Sequence, residues 1–248
     1  PDNKKKNPMY QRIWTMVYSF LMFILVRNAV QYALLALLYQ LAQSGASGGL
    51  VDLLILRDET GAYNGYSGDV SSIIAALGFI GGALAVWSTA KLLITKNKED
   101  MHLSHLKKEG KAKYALLVAV TIGAVIGFNL LFELLGVTNK SEAYTEVAAQ
   151  QYSAHFIVGI LVFGFISPIA EELLFRGVIY GYLRRFMDIK LAIALSALIF
   201  GVYHMNYVQG VYGFLIGCLM AYAYEYFGEF KMAVFVHVAS NVLAYCLS

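Results

Sequence analysis

Two carboxylates and one guanidinium interrupt an otherwise apolar part of this sequence. Residues 167–177 read Ser-Pro-Ile-Ala-Glu-Glu-Leu-Leu-Phe-Arg-Gly, inside a run that extends from about Phe156 to Leu183. A charged side chain near the centre of a bilayer costs about 2.5–3.5 kcal/mol on insertion scales. Three such side chains so close together need ionic partners or a wet cavity. Ionisable residues at this depth therefore predict a functional site.

The composition is that of a protein with several membrane spans. Of the 248 residues, 59% are hydrophobic and 14% are charged, whereas soluble domains carry about 25% charged residues. Because lipid offers the backbone no hydrogen-bond partners, long apolar segments must be helices. We expect one all-α integral membrane domain, 1–248, with about seven spans (six to eight). These lie near residues 13–42, 71–95, 114–136, 154–183, 191–206, 209–227 and 231–247.

Lys and Arg residues are distributed unevenly between the two sides of this arrangement. Fifteen lie in segments on one side and two, Arg57 and Lys140, lie on the other. Because basic loops mark the cytoplasmic side, we expect a cytoplasmic N-terminus in a multi-pass protein of the plasma membrane. The short chain and the Lys-rich loop favour a bacterial host. Membrane lipids are expected partners and nucleic acid is not, while the oligomeric state stays open.

Several features of the spans and loops predict structure rather than chemistry. Arg27 in the first span is expected to snorkel or to pair with Glu133. Segments 96–113 and 137–153 are expected to be loops, the first with a short interfacial helix through residues 101–106. Small residues that allow close contact between helices recur in the second and sixth spans: Gly78, Gly81, Gly82, Gly213 and Gly217.

Two pairs spaced i,i+4 place polar side chains on single faces of the predicted helices. Glu172 and Arg176 share a face of the fourth span and are able to form an ion pair. His237 and Asn241 face the same way on the seventh span. Glu171 points about 100° away from Glu172, outside that ion pair.

Three helices bring these polar side chains to a similar depth. His204 is expected in the fifth span, one turn after Phe200. At 1.5 Å per residue, Glu171 lies about 18 Å from the expected cytoplasmic side and His204 about 20 Å. The residues of the seventh span, His237 and Asn241, lie about 9–15 Å from that side.

A carboxylate, two imidazoles and an amide in one pocket are suited to hydrolysis. Glu171 and His204 could hold and deprotonate a water molecule. His237 and Asn241 could donate hydrogen bonds to the oxyanion that forms when this water attacks a peptide carbonyl. The neighbouring ion pair would support Glu171. The predicted reaction is hydrolysis of a peptide bond without a covalent intermediate.

These residues form three ordered motifs that resemble those of the CPBP family. The motifs are Glu-Glu-x-x-x-Arg at 171–176, Phe-x-x-x-His at 200–204 and His-x-x-x-Asn at 237–241. The family comprises the CAAX-protease and bacteriocin-processing (Abi) membrane proteins, related to the Ras-converting type II CAAX endopeptidases. The catalytic core marked by these motifs is about 154–247.

The resemblance implies a glutamate-dependent intramembrane endopeptidase that needs no metal or other cofactor. Its substrate would be a peptide or protein with a hydrophobic or C-terminal segment, such as a CAAX-like, bacteriocin or signal-peptide sequence. The resemblance assigns catalysis to Glu171, His204, His237 and Asn241, with supporting roles for Glu172, Arg176 and Phe200.

Three alternatives stay open at the level of sequence. Glu171, His204 and His237 have types that suit zinc, so a zinc-dependent membrane protease is one alternative. The same pocket could belong to a non-enzymatic bacteriocin-immunity or peptide-binding membrane protein. A small transporter with an ionisable relay is the third, although the halves of the chain show no repeat of the kind found in many transporters.

Overall fold

The regular elements of the described structure are all helices. The computed structural model describes residues 9–45, 47–100, 110–137 and 141–247, without the side chains of residues 98–100. The interfacial helix expected at 101–106 lies outside these ranges. The helices are α1 (Met9–Gln43), α2 (Leu50–Leu54), α3 (Gly68–Asp100), α4 (Lys111–Leu134), α5 (Glu142–Gln151), α6 (Phe156–Leu183), α7 (Ile189–Tyr203), α8 (Tyr207–Phe227) and α9 (Phe230–Leu247).

Each of the seven predicted apolar segments forms one helix. Within the described ranges, five of them are long and apolar enough to cross a membrane: α1, α3 through Asn97, α4, α6 and α9. The α7 helix is apolar but has only 15 residues, about 22 Å. The all-α polytopic fold is thus confirmed, and the count of seven spans stays a prediction.

Two predicted boundaries are wrong. The fifth segment was expected to run to residue 206, but α7 ends at Tyr203. Met205 then adopts a left-handed backbone (φ 59°), and Asn206 accepts a hydrogen bond from the Gln209 amide to begin α8.

Segment 137–153 is not a plain loop, because Ser141 caps α5 by accepting from the Tyr144 amide. A serine cap followed by alanine, glutamate and glutamine favours a helix even in a polar segment.

The α6 helix is the centre of the bundle. It packs against α3, α1, α9 and α7, and every residue from Leu173 to Tyr180 is buried. A short α-helical stretch, Ser167–Glu172, lies between two π-helical stretches, Ile160–Ile166 and Leu173–Tyr180. Departures from regular α-helix of this kind are frequent at functional sites. The predicted carboxylates thus lie on the most buried helix of the bundle, at a change in its winding.

The glycines of α3 make the close helix contact that the sequence predicted, and the structure shows that the partner is α1. A Cβ atom at Gly78 would meet the side chain of Gln31, and one at Gly82 would meet Phe23. Because these positions lack side chains, the two helices approach closely along their length. This contact fixes the face of α1 that points toward α6 and α7.

Candidate active site

Glu172 is fully buried and holds two cationic or potentially cationic partners through one oxygen. Its Oε1 atom accepts from Arg176 Nη1 at 2.6 Å and lies 2.9 Å from His237 Nδ1. The i,i+4 ion pair predicted from sequence is therefore present. Glu172 also does more than support Glu171. Because its carboxylate can only accept hydrogen bonds, it holds the Nδ1–H of His237 in its own direction.

Arg176 connects this pair to the neighbouring helices. Its side chain is fully buried, its Nη2 atom donates to the Gly217 carbonyl at 3.0 Å, and its guanidinium lies 4.7 Å from the Phe200 ring centroid. A Cβ atom at Gly217 would lie only 3.0 Å from that Nη2 atom. The Gly213/Gly217 pair predicted to pack helices thus makes room, at its second position, for the site's guanidinium.

Glu171 faces the other nitrogen of the same imidazole. It is buried, with 5% of its surface exposed, and its Oε1 atom accepts from Ser167 Oγ at 3.2 Å. Its Oε2 atom lies 3.7 Å from His237 Nε2. His237 therefore lies between the two carboxylates, in hydrogen-bond contact with one and in ionic range of the other.

The ionised side chains of this cluster leave one negative charge without compensation. Two carboxylates and one guanidinium carry a net charge of −1, and buried charge without compensation is costly. A proton held between Glu171 and His237 makes the cluster neutral. When this proton is on His237, the pair contains both a base, Glu171, and a hydrogen-bond donor.

His204 lies just beyond the end of α7, with one ring nitrogen held by the backbone. Its Nδ1 atom lies 2.9 Å from the Phe200 carbonyl, which can only accept, so Nδ1 carries a proton. The Nε2 atom of the neutral ring is then an acceptor. Phe200 also contacts both rings edge-on, with centroids 4.8 Å from His204 and 5.3 Å from His237.

Glu171 and His204 share no direct hydrogen bond among the contacts of the described residues. The Phe200 ring nevertheless contacts both imidazoles, which places His204 near His237. The structure therefore brings Glu171 into contact with His237 and places His204 beside them.

Asn241 is joined to the backbone of α6. Its Nδ2 atom donates to the Phe163 carbonyl at 2.9 Å. In π-helical spacing each N–H pairs with the carbonyl five residues earlier, and Pro168 has no N–H to give to Phe163. Asn241 supplies the missing donor with one N–H of its amide, and the second N–H stays free for the predicted oxyanion role.

Sequence reasoning missed several polar groups around the site. Ser167 was recognisable, because it precedes Glu171 by one helical turn.

A second polar cluster surrounds Glu225. Tyr180 donates to the buried Glu225 at 2.5 Å, and Arg184 binds both oxygens of Glu225 at 2.8 Å. These hydrogen bonds raise the pKa of the Arg184 guanidinium. The single acidic residue in the sixth segment was the only signal for this second cluster.

In the part of the chain that the structure describes, no three His, Cys, Asp or Glu side chains converge to hold a metal ion. Glu172 and the Phe200 carbonyl already engage one nitrogen of each imidazole. Metal-independence remains a prediction for experiment.

The fold and this cluster define an integral membrane protein with a buried group of acidic and basic side chains. Residues 153–243 match a family model described as "Rce1-like: Type II CAAX prenyl endopeptidase Rce1-like". The match confirms the resemblance to the CAAX-protease family and indicates a protease, hence a hydrolase. It contains all of the predicted site residues. Comparison with curated proteins and comparison with solved structures each gave no significant match.

Proposed function

We propose that this protein is an intramembrane endopeptidase that activates water with Glu171 and His204. The observation that carries the proposal is the placement of the His237 ring between Glu171 and Glu172. In this arrangement Glu171 is the proposed base, His237 the proposed hydrogen-bond donor and Glu172 the group that orients this donor. Positioned partners of this kind are what general acid–base hydrolysis requires.

The proposed reaction begins with a water molecule that donates one hydrogen to Nε2 of His204 and the other to Glu171. Glu171 takes its proton as the water oxygen attacks the peptide carbonyl carbon. Protonated His237 and the free N–H of Asn241 stabilise the oxyanion. The carbon–nitrogen bond then breaks, and Glu171 passes its proton to the leaving amine. Atoms and charges balance without a covalent intermediate.

The substrate is a hydrophobic or C-terminal peptide segment. A groove of about 460 Å³ lies between α7 and α8, lined by apolar side chains such as Leu198, Val202 and Phe214 and by none of the proposed catalytic residues. The name of the matched family favours a prenylated CAAX peptide, and bacteriocin or signal-peptide precursors share the same apolar character.

The experiment that tests this proposal is a comparison of peptides in the native host. A strain carrying Glu171→Gln should accumulate uncleaved precursors that are cleaved in the wild type. Glu133→Gln makes the same change at an exposed position of α4 and should leave processing unchanged. Identical peptide profiles in all three strains would contradict hydrolysis.

Two further outcomes identify the alternatives. If Glu171→Gln keeps peptide binding or protection against a bacteriocin while no precursor accumulates, the protein is a non-enzymatic immunity or peptide-binding protein. If a chelator abolishes cleavage by the purified enzyme and zinc restores it, the protein is a zinc-dependent protease. The proposed mechanism requires that chelation leaves the rate unchanged.

A further inference from the structure

Arg27 reaches from the first helix toward the proposed active site. The close packing of α1 on α3 places its guanidinium 4.1 Å from the Phe79 ring centroid. Its Nη1 atom donates to the Tyr203 hydroxyl. The sequence predicted that Arg27 would snorkel to a surface or pair with Glu133, and it does neither. Its guanidinium lies between α1, α3 and α7.

The positive charge of Arg27 has no acidic partner among the residues that the structure describes. Its Nε atom is buried without a hydrogen-bond partner, and the hydrogen bond to Tyr203 uses one of the five N–H donors of a guanidinium. The charge lies within α1, a helix long and apolar enough to span a membrane, where an unpaired cation is costly and marks function. Planar N–H donors in this state match a carboxylate.

The distance from Arg27 to the reacting groups fits a short peptide. The guanidinium lies 5.9 Å from the Tyr203 ring centroid, and that centroid lies 5.6 Å from the centroid of His204. An extended chain rises about 3.3–3.6 Å per residue. These two distances set an upper limit on the separation of Arg27 from His204, and an extended segment of about three residues or fewer spans that limit.

We propose that Arg27 binds a carboxylate of the substrate and so sets the distance between that anion and the cleaved bond. The inference rests on the proposed function, because it places a substrate at Glu171 and His204. The carboxylate comes either from the C-terminus of the substrate or from an Asp or Glu side chain near it. Tyr203 positions the guanidinium by accepting one of its hydrogen bonds.

The test uses the full chain in liposomes and a fluorescence-quenched peptide with a prenylated cysteine followed by three residues. One version ends in a free carboxylate, a second in an amide, and a third in an amide with one Glu among the three residues. For wild type, the free-carboxylate peptide should have a KM about 10–100-fold lower than the plain amide, since a hydrogen-bonded charge pair is being removed. Preference for the third peptide over the second identifies a side-chain source.

Variants of the protein link this preference to Arg27. Arg27→Gln should raise KM for the preferred anionic peptide about 10–100-fold and leave the plain amide unchanged. Arg27→Lys should recover part of the preference, and Lys91→Gln, at an exposed cation of α3, should keep all of it. Equal KM values of wild type for all three peptides, or equal losses for all peptides in Arg27→Gln, would overturn the inference.

A binding measurement separates this inference from the proposed reaction. If wild type cleaves none of the peptides, the proposed function fails, and fluorescence anisotropy then compares Glu171→Gln with Glu171→Gln/Arg27→Gln. Tighter binding of the anionic peptide that disappears with Arg27 supports the carboxylate site without hydrolysis. Binding that is absent, or unaffected by Arg27, overturns it.

Discussion

At the scale of single residues, Glu172 links the buried ion pair to the proposed hydrogen-bond donor of the site. It neutralises Arg176 and orients His237 through the same oxygen atom. Stability and catalysis therefore depend on Glu172 for different reasons. These reasons can be separated by removing the charge of Arg176 together with that of Glu172.

Glu172→Gln should lower the free energy of unfolding by about 3–5 kcal/mol, because it leaves the buried Arg176 without a counter-charge. The double variant Glu172→Gln/Arg176→Met should recover most of this stability, since it removes both charges together. Its activity should stay low, because His237 is still without its carboxylate. Thermal melting in detergent and cleavage rates measure the two effects, and activity that returns together with stability would contradict an orienting role.

Asn241 also has two separable roles. Asn241→Ala removes the donor to Phe163 and should cost about 0.6–1.7 kcal/mol of stability. It should lower kcat about 100–1000-fold if the free N–H binds the oxyanion. The control is Ser240→Ala, at a neighbouring buried hydroxyl without a hydrogen-bond partner, which should keep kcat. A stability loss in Asn241→Ala with normal kcat would restrict this residue to holding α6.

At the scale of helices, the contact of α8 with α6 depends on the absence of a side chain at Gly217. A Cβ atom there would lie 3.0 Å from Arg176 Nη2 and 3.1 Å from the Ala197 side chain. At Gly213 the nearest atom would be His204 Nδ1, at an ordinary 3.5 Å. The two glycines of one motif thus differ in how much space surrounds them.

Gly217→Ala should destabilise the protein by about 1–3 kcal/mol through overpacking, with a lower melting temperature and reduced activity. Gly213→Ala should be tolerated, which makes it the matched control. Melting curves of both purified variants measure the difference in their stability. Equal melting temperatures would show that Gly217 has room to spare and that the approach to Arg176 is not tight.

Local patterns predicted the helices and the pairs within them. Glu172 with Arg176 was predictable because i,i+4 spacing alone puts both residues on one face. The glycines of α3 predicted a close helix contact, although not that its partner is α1. The contact from Asn241 to Phe163 was not predictable, because it depends on the π-helical winding before Pro168.

The contact of Arg27 with Tyr203 joins residues 176 positions apart, which no local spacing encodes. The end of α7 before His204 is followed by the left-handed backbone of Met205, a conformation that no glycine marks in this part of the chain.

At the scale of the whole molecule, α6 is held at both ends while the site lies between them. Near its start, Asp69 of α3 accepts from the His155 amide at 2.7 Å. Near its end, Glu225 of α8 binds Tyr180 and Arg184. These fixed ends support the geometry of the buried carboxylates, since a site is held best by rigid elements.

The unequal distribution of Lys and Arg predicts how the molecule crosses the membrane. In a background with Cys218→Ala and Cys246→Ala, Thr60→Cys should react with an impermeant maleimide only from the outside. Lys190→Cys should react only in inside-out vesicles. Both positions are exposed, so accessibility reports the side of the membrane. The reverse pattern would contradict a cytoplasmic N-terminus.

The most direct test of the central claim is the cleavage rate of the purified protein in liposomes with the prenylated peptide. Glu171→Gln and His204→Ala should each lower kcat at least about 100-fold, as expected for loss of a general base or of the group that holds its water. Their melting temperatures should stay close to that of the wild type, and Glu133→Gln should keep full activity. A Glu171→Gln enzyme that retains most of the wild-type rate would contradict water activation by this carboxylate.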